Sequence, residues 1–432
     1  MYRILLKRKL NRINRYKFIF FLLLIFNGCD DYSYNYDTPE NQGVSSQKLE
    51  KITSYFKKSI NENKIPGAVT LIRKNGKIVY KKAFGYSDVS KKIKYNEDDI
   101  FRIASLTKAI TSIGVLILWE EGKFDFDDPI EKYIPEFKNL GILSSFNQKD
   151  STYTKEKAKN KITIRHLLTH TSGIGYGIVD SKSSFKAIYS KNQIVDLFTT
   201  DSITIKENIK KLAKLPLHHE PGEGFTYSES TDVLGYFIEI MSKMPLDKFF
   251  KERIFNPLQM NDTFFYLSET NKERLVPVQT KMGGFWMNFE EDFYDINYPK
   301  NGAKIFFSGG AGLSSTVEDY SNFLQMILNE GTYNGNQILD KKTVDLIYQN
   351  QNIEFPEFPS IGLAFGLITE KEIKLGETGN IGTLFWGSYF NAYFFADPTE
   401  NLIGILYKQT RPLELDNSNN EFRSLVIQSL EK

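Results

Sequence analysis

Ser105-Leu106-Thr107-Lys108-Ala109-Ile110-Thr111-Ser112-Ile113-Gly114-Val115-Leu116-Ile117-Leu118-Trp119 is the most informative stretch of this chain. Leu106, Ala109, Ile110, Ile113, Leu116 and Ile117 recur at helical spacing, Val115, Leu118 and Trp119 fill the other faces, and Gly122 supplies a stop. A helix that is apolar nearly all round is buried, so Ser105 stands at the mouth of a core. A serine and a lysine three residues apart share a helix face, which sets an amine beside a hydroxyl and makes a nucleophile with its activator. Ser-x-x-Lys also occurs at Ser45/Lys48, Ser54/Lys57, Ser183/Lys186 and Ser429/Lys432, but on polar or amphipathic segments where a solvated charge beside a hydroxyl is the plainer reading.

The 432 residues, 41% hydrophobic and 14% aromatic, describe a folded protein with a large core. The formal charge of +2 is well mixed along the chain, so no basic field points to nucleic acid. The exception is the beginning, where Lys7, Arg8, Lys9, Arg12, Arg15 and Lys17 precede an apolar run from Phe18 to Phe26 and then Asn27-Gly28-Cys29. The run is well short of the roughly 20 residues that span a bilayer. Residues 1–29 therefore read as a signal peptide ending on a lipidated Cys29, and 30–45 as a polar tether. The expectation is an exported, lipid-anchored protein of the cell envelope, periplasmic or surface-facing. With one cysteine, no internal disulfide forms.

The mature chain, 46–432, opens with an amphipathic helix carrying Leu49, Ile52, Phe56 and Ile60, then two strands around the hairpin signal Asn75-Gly76. It closes with the strands Tyr389–Ala396 and Leu402–Tyr407 and a helix carrying Phe422, Leu425, Val426 and Leu430. Helix and strands at both ends around a helical middle predict an α/β (α+β) fold, an antiparallel sheet flanked by terminal helices with a mostly helical insertion. The sheet part is about 46–104 and 305–432, the helical part about 105–304, with the active site between them. Asn147–Lys161, Asp180–Lys191 and Phe285–Lys300 read as loops.

Three segments in order complete a pattern: Ser105-Leu106-Thr107-Lys108, Tyr227-Ser228-Glu229, and Gly376-Glu377-Thr378-Gly379-Asn380. Together they resemble the active-site elements of the serine β-lactamase and penicillin-recognising family, in the branch of class C β-lactamases, D-Ala-D-Ala carboxypeptidases and related esterases. Ile162–Gly173, Pro257-Leu258-Gln259-Met260 and Gly309–Thr316 match its framework stretches. The resemblance implies a β-lactamase/transpeptidase-like fold and a serine hydrolase for a small ester, amide or peptide substrate, with no cofactor and no metal. Ser105 is its acylated nucleophile, either Lys108 or Tyr227 the base, and the backbone N–H groups of Ser105 and Asn380 the oxyanion donors. Glu229, Glu377, Thr378 and Gly379 fall at substrate-binding positions. The family has an amide at the position of Glu229 and Lys, His or occasionally Trp at that of Glu377. A carboxylate there repels an anionic substrate by about 1–4 kcal/mol, which speaks against β-lactam hydrolysis. The same two glutamates raise the alternative of a catalytically decayed surface lipoprotein acting as a binding or sensing module. Zinc at His166 and His170 is disfavoured, since no His-Glu-x-x-His pattern is present.

Replacing Cys29 by Ser is expected to release the protein from the membrane fraction and abolish labelling by radioactive palmitate. Unchanged fractionation and labelling of the variant would refute the anchor.

Overall fold

A computed structural model describes residues 35–352, 354–363, 365–412 and 416–431. Cys29 and the signal-like segment lie outside the described residues. The first helix, α1 (Ser46–Asn61), starts where the Ser45 side chain accepts the Lys48 N–H, a capped N-terminus. Strands β1 (Gly67–Lys74) and β2 (Lys77–Asp88) follow, joined by Asn75 and Gly76 with φ of 50° and 79°. Both residues are left-handed, as a tight hairpin demands of its two central positions.

After a short β3 (Ile93–Lys94), the chain leaves the sheet for a long, mostly helical excursion containing α2 (Thr107–Glu120) and α3 (Ser230–Ser242). It then forms α4 (Val317–Leu328) and returns as β4 (Gly366–Leu367), β5 (Leu384–Gly387), β6 (Ala392–Asp397) and β7 (Leu402–Tyr407), with α5 (Ser418–Gln428) last. The spatial order is β4-β5-β6-β7-β1-β2-β3, and every pairing in the sheet is antiparallel. Val69 faces Tyr407 across the β1–β7 seam, so the two ends of the chain close one sheet around the insertion.

Both faces of the central strands are apolar because both are covered. On one side Phe56 of α1 stacks on Phe84 of β2 and meets Phe422 of α5. On the other, α4 packs Tyr320 and Phe323 toward Phe394, Phe365 and Tyr407. Helix α2 is buried from Thr107 to Leu118, as its all-round apolarity predicts. Gly114 lets α3 and its successor close in: a Cβ there would lie 3.0 Å from Ile238 and 3.2 Å from Phe249.

Several expectations need correction. Residues 35–44 are docked, not a free tether: Tyr36 bridges Ile78, and the buried Val44 bridges Leu430. Tyr153–Lys157, read as loop, pairs with Gly141–Phe146 as an exposed hairpin whose polar residues carry no burial signal. Ser183–Lys191 is a helix that buries Phe185, Ile188 and Tyr189. Phe285–Asn288 is a strand paired with Gln279–Met282.

Candidate active site

The backbone enters the site through Phe101–Arg102, paired with Ser314–Ser315, and turns sharply at Ala104, whose φ of 39° lies in the left-handed region. Such a conformation in alanine stores about 1–3 kcal/mol and persists only where surroundings enforce it. They do: Ile103 N–H donates to Leu313 O, Leu313 N–H to Thr107 Oγ1, and the Tyr320 hydroxyl to Leu106 O. The turn Ala104–Leu106 delivers Ser105, half-buried, to the N-terminus of α2, whose helix dipole favours developing negative charge.

Lys108 is almost wholly buried, at 3% exposure. Its Nζ donates to Gly310 O at 2.7 Å and lies over the rings of Tyr227 (4.8 Å to the centroid) and Tyr176 (5.6 Å). The carbonyls arrive from a strictly positioned turn. Thr111 Oγ1 donates to Gly309 O at 2.6 Å, and Gly310 N–H donates to Asp232 Oδ1 at 3.2 Å. A Cβ on Gly309 would sit 2.6 Å from Thr231 O and one on Gly310 2.9 Å from Asp232 Oδ2, so only glycine lets this turn lie against α3.

Tyr227 is wedged among His170 (4.7 Å between centroids), Tyr176 (5.8 Å) and Trp386 (5.9 Å). His170 is pushed down to about 3 by burial and by the nearby Lys108 charge, so it is a neutral ring that packs Tyr227 in place. Asp232 is fully buried and pushed up to about 6 by burial, against the opposing pull of Ser308, Lys108 and the Gly310 N–H. Ser105 and Tyr227 line one cavity of about 940 Å³ with Tyr176, Leu197, Trp386, Gly387, Ser388 and Tyr389 among its other walls.

The structure thus gathers Ser105, Lys108 and Tyr227. It does not bring the other expected residues to the cavity. Glu229 is entirely buried, neither carboxyl oxygen has a hydrogen-bond partner, and burial with repulsion by Asp196 and Asp232 raises its pKa well above the usual carboxylate value. Glu377 pairs with the buried Arg423 of α5. Asn380 donates its side-chain amide to Asp397 at 2.9 Å, while Gly379 packs toward Ile368 and Thr383, and neither they nor Thr378 line the cavity. Trp386, Gly387 and Ser388, on and just after β5, line the cavity together with Ser105 instead. The tryptophan sometimes found at the family position given to Glu377 was the available signal, and Gly-Glu-Thr-Gly-Asn outweighed it by its own likeness to the pattern. With Glu377 elsewhere, the electrostatic objection to anionic substrates lapses. Tyr176 and Asp232 carry no sequence signal and His170 only the framework likeness of Ile162–Gly173, since the fold alone brings them together around Tyr227 and Lys108. Of the remaining histidines, His166 accepts the Thr163 N–H in a capping box and His218 meets Asp180 at 2.9 Å.

Fold and site together define a β-lactamase-like serine hydrolase scaffold. The beta-lactamase family model matches residues 52–428, and the chain belongs to that family. It is 31% identical over 363 residues to Protein Rv1367c of Mycobacterium tuberculosis, covering 79% of this chain and 85% of that protein. It is 27% identical to Esterase EstB of Burkholderia gladioli, covering 83% and 90%. Among solved structures, EstCE1, a hydrolase with promiscuous acyltransferase activity, superposes with a TM-score of 0.74 at 24% identity, over 89% of this chain and 99% of that one.

Because Glu377 serves Arg423, Glu377→Ala should lower the melting temperature by leaving a buried guanidinium unpaired, with kcat/KM for a small ester within about twofold of wild type. A large change in kcat/KM without loss of stability would return Glu377 to the cavity.

Proposed function

We propose that the protein is an esterase-type serine hydrolase working through an acyl-enzyme on Ser105. The observation that carries this reading is the convergence of Ser105 and Tyr227 on one cavity with the Lys108 ammonium set against the Tyr227 ring. Esterase EstB, similar over most of its length, supports the choice of ester over other acyl substrates.

In this mechanism Ser105 Oγ attacks the ester carbonyl while its proton passes to the Tyr227 oxygen. Every neighbour of Lys108 Nζ, the Gly310 carbonyl, two ring faces and the Asp232 carboxylate, favours a positive charge there. That charge stabilises Tyr227 as a phenolate, which takes the Ser105 proton and is neutralised as the negative charge passes to the tetrahedral oxyanion. The tetrahedral oxyanion is held by the Ser105 N–H and a main-chain N–H of the Gly387–Tyr389 stretch, in place of Asn380. The ester C–O bond breaks as Tyr227 returns the proton to the departing alcohol, and water then cleaves the acyl–Ser105 bond by the reverse relay. A second alcohol in place of water gives acyl transfer. The lipoprotein-like N-terminal segment adds an envelope location to this proposal. The two glutamates that suggested a decayed site both lie away from the cavity.

Ser105→Ala is expected to abolish hydrolysis of p-nitrophenyl acetate, and Lys108→Ala and Tyr227→Phe each to lower it at least about a hundredfold. Combining them should cost little beyond Ser105→Ala alone, because one relay is being broken. Full activity in Ser105→Ala would remove the nucleophile.

Asp232 adds a pH dependence. Its carboxyl titrates at about 6 in the fold against 3.8 unfolded, so its stabilising contribution is complete below the unfolded value and is lost as pH rises through 6. Its charge beside Lys108 exists only above 6. Wild-type kcat/KM should therefore fall below about pH 6, while Asp232→Asn should lack that limb, be about tenfold slower at pH 8 and resist urea better there. An unaltered pH profile in Asp232→Asn would exclude this role.

A further inference from the structure

The cavity that holds Ser105 reaches a second chemical environment where the chain leaves β7. The Arg411 guanidinium carbon lies over the Tyr389 ring, 3.9 Å from its centroid, and the Arg411 backbone N–H is tied to Gln279 O at 2.9 Å. The ring and the backbone tie hold the guanidinium at the cavity wall. Its hydrogen bonding is not complete: Nε is buried without an acceptor, and Nη1 reaches only Tyr389 O at 3.5 Å, the limit of a hydrogen bond. Among the described residues Arg411 has no carboxylate partner.

Among the described residues, the carboxylate in this part of the wall is already committed. Asp416, also in the cavity wall, takes the Nζ of the wholly buried Lys408, the Asn391 side-chain amide at 2.9 Å and the Ser418 N–H at 2.9 Å. Lys408 and Asp416 cancel; of the other cations in the wall Lys182 is exposed, and Arg411 is the part-buried one. At the opposite side Asp180 is likewise occupied by His218. A guanidinium held against an aromatic face offers a two-pronged donor, the geometry that a carboxylate matches with both oxygens. A part-buried guanidinium in a cavity lined largely by aromatic and aliphatic groups suits a carboxylate better than a phosphate, which gathers several donors.

We propose that Arg411 forms a carboxylate subsite, and that the preferred substrates are esters bearing a free carboxylate some distance from the scissile bond. For turnover this rests on the acyl-enzyme reading of Ser105; for binding it does not. It reverses the selectivity expected from Glu377, because the charge at Arg411 is positive.

The test compares two esters of one length, the p-nitrophenyl ester of adipic acid with its far carboxylate free, and the same compound with that carboxylate methylated. Wild type should favour the free acid by about tenfold or more in kcat/KM, Arg411→Gln should lose that preference, and Arg411→Lys should keep part of it. Circular dichroism establishes that the variants are folded. Binding of monomethyl adipate to Ser105→Ala, followed by titration calorimetry, supplies a readout without turnover and should weaken at least about tenfold when Arg411→Gln is added. The same ester preference in wild type and Arg411→Gln, or equal binding with and without Arg411, overturns the subsite while leaving the esterase reading intact. Arg411-dependent binding with no hydrolysis of either ester sustains the subsite and overturns the esterase reading.

Discussion

A lysine ammonium held where almost no water reaches is the constraint around which this molecule is arranged. An isolated buried charge costs several kcal/mol, and Lys108 is stable only because a carbonyl, two aromatic faces and a carboxylate surround it. Each of those partners imposes a further requirement. The Gly310 carbonyl can approach only where α3 meets a backbone without Cβ atoms, and Asp232 can hold the Gly310 N–H only from the first turn of α3. Helices α2 and α3 and the turn at 308–312 are thereby fixed relative to one another, and Tyr227 inherits its place from them.

The same region gathers Asp196, Glu229 and Asp232 out of water, which a cation alone could not balance. The solution is unequal protonation. Asp196 is held by the N–H groups of Gly177 and Ile178, while burial raises Glu229 well above the carboxylate range and Asp232 to about 6, so both hold their protons more tightly than a free carboxyl. A glutamate where relatives carry an amide is then less foreign than its formula suggests, because a protonated carboxyl and an amide are both neutral and both able to donate.

How much of this could be read in the chain depends on how local each signal is. Ser105 and Lys108 are legible because nucleophile, activator and buried helix occupy one continuous stretch, and the sheet is legible because its hairpins announce themselves at both ends. Glu377 misleads for the opposite reason. Its partner, Arg423, lies on the last helix, and no local pattern says that a carboxylate will be drawn there and away from the cavity. Trp386 functions through where β5 lies beside the Ser105 turn, a relation set by strand order and not by neighbours in sequence. The docked segment 35–44 is similarly silent: only Val44 is buried, and one apolar residue makes no periodicity.

The seam between β1 and β7 has a kinetic consequence. A chain made from its N-terminus presents β1 early, yet the strand that must lie against it is among the last to appear. Until then β1 is an open edge with unsatisfied backbone groups, ready to pair with another copy. Closure of the sheet is a late, long-range event with a large loop entropy to overcome. A chain shortened by its last few dozen residues loses β7 and α5 together, and with them the hydrogen-bonding partner of β1 and part of the cover on one face of the sheet. Such a product has no smaller stable form to settle into, so this architecture distinguishes finished molecules from unfinished ones by whether they fold at all.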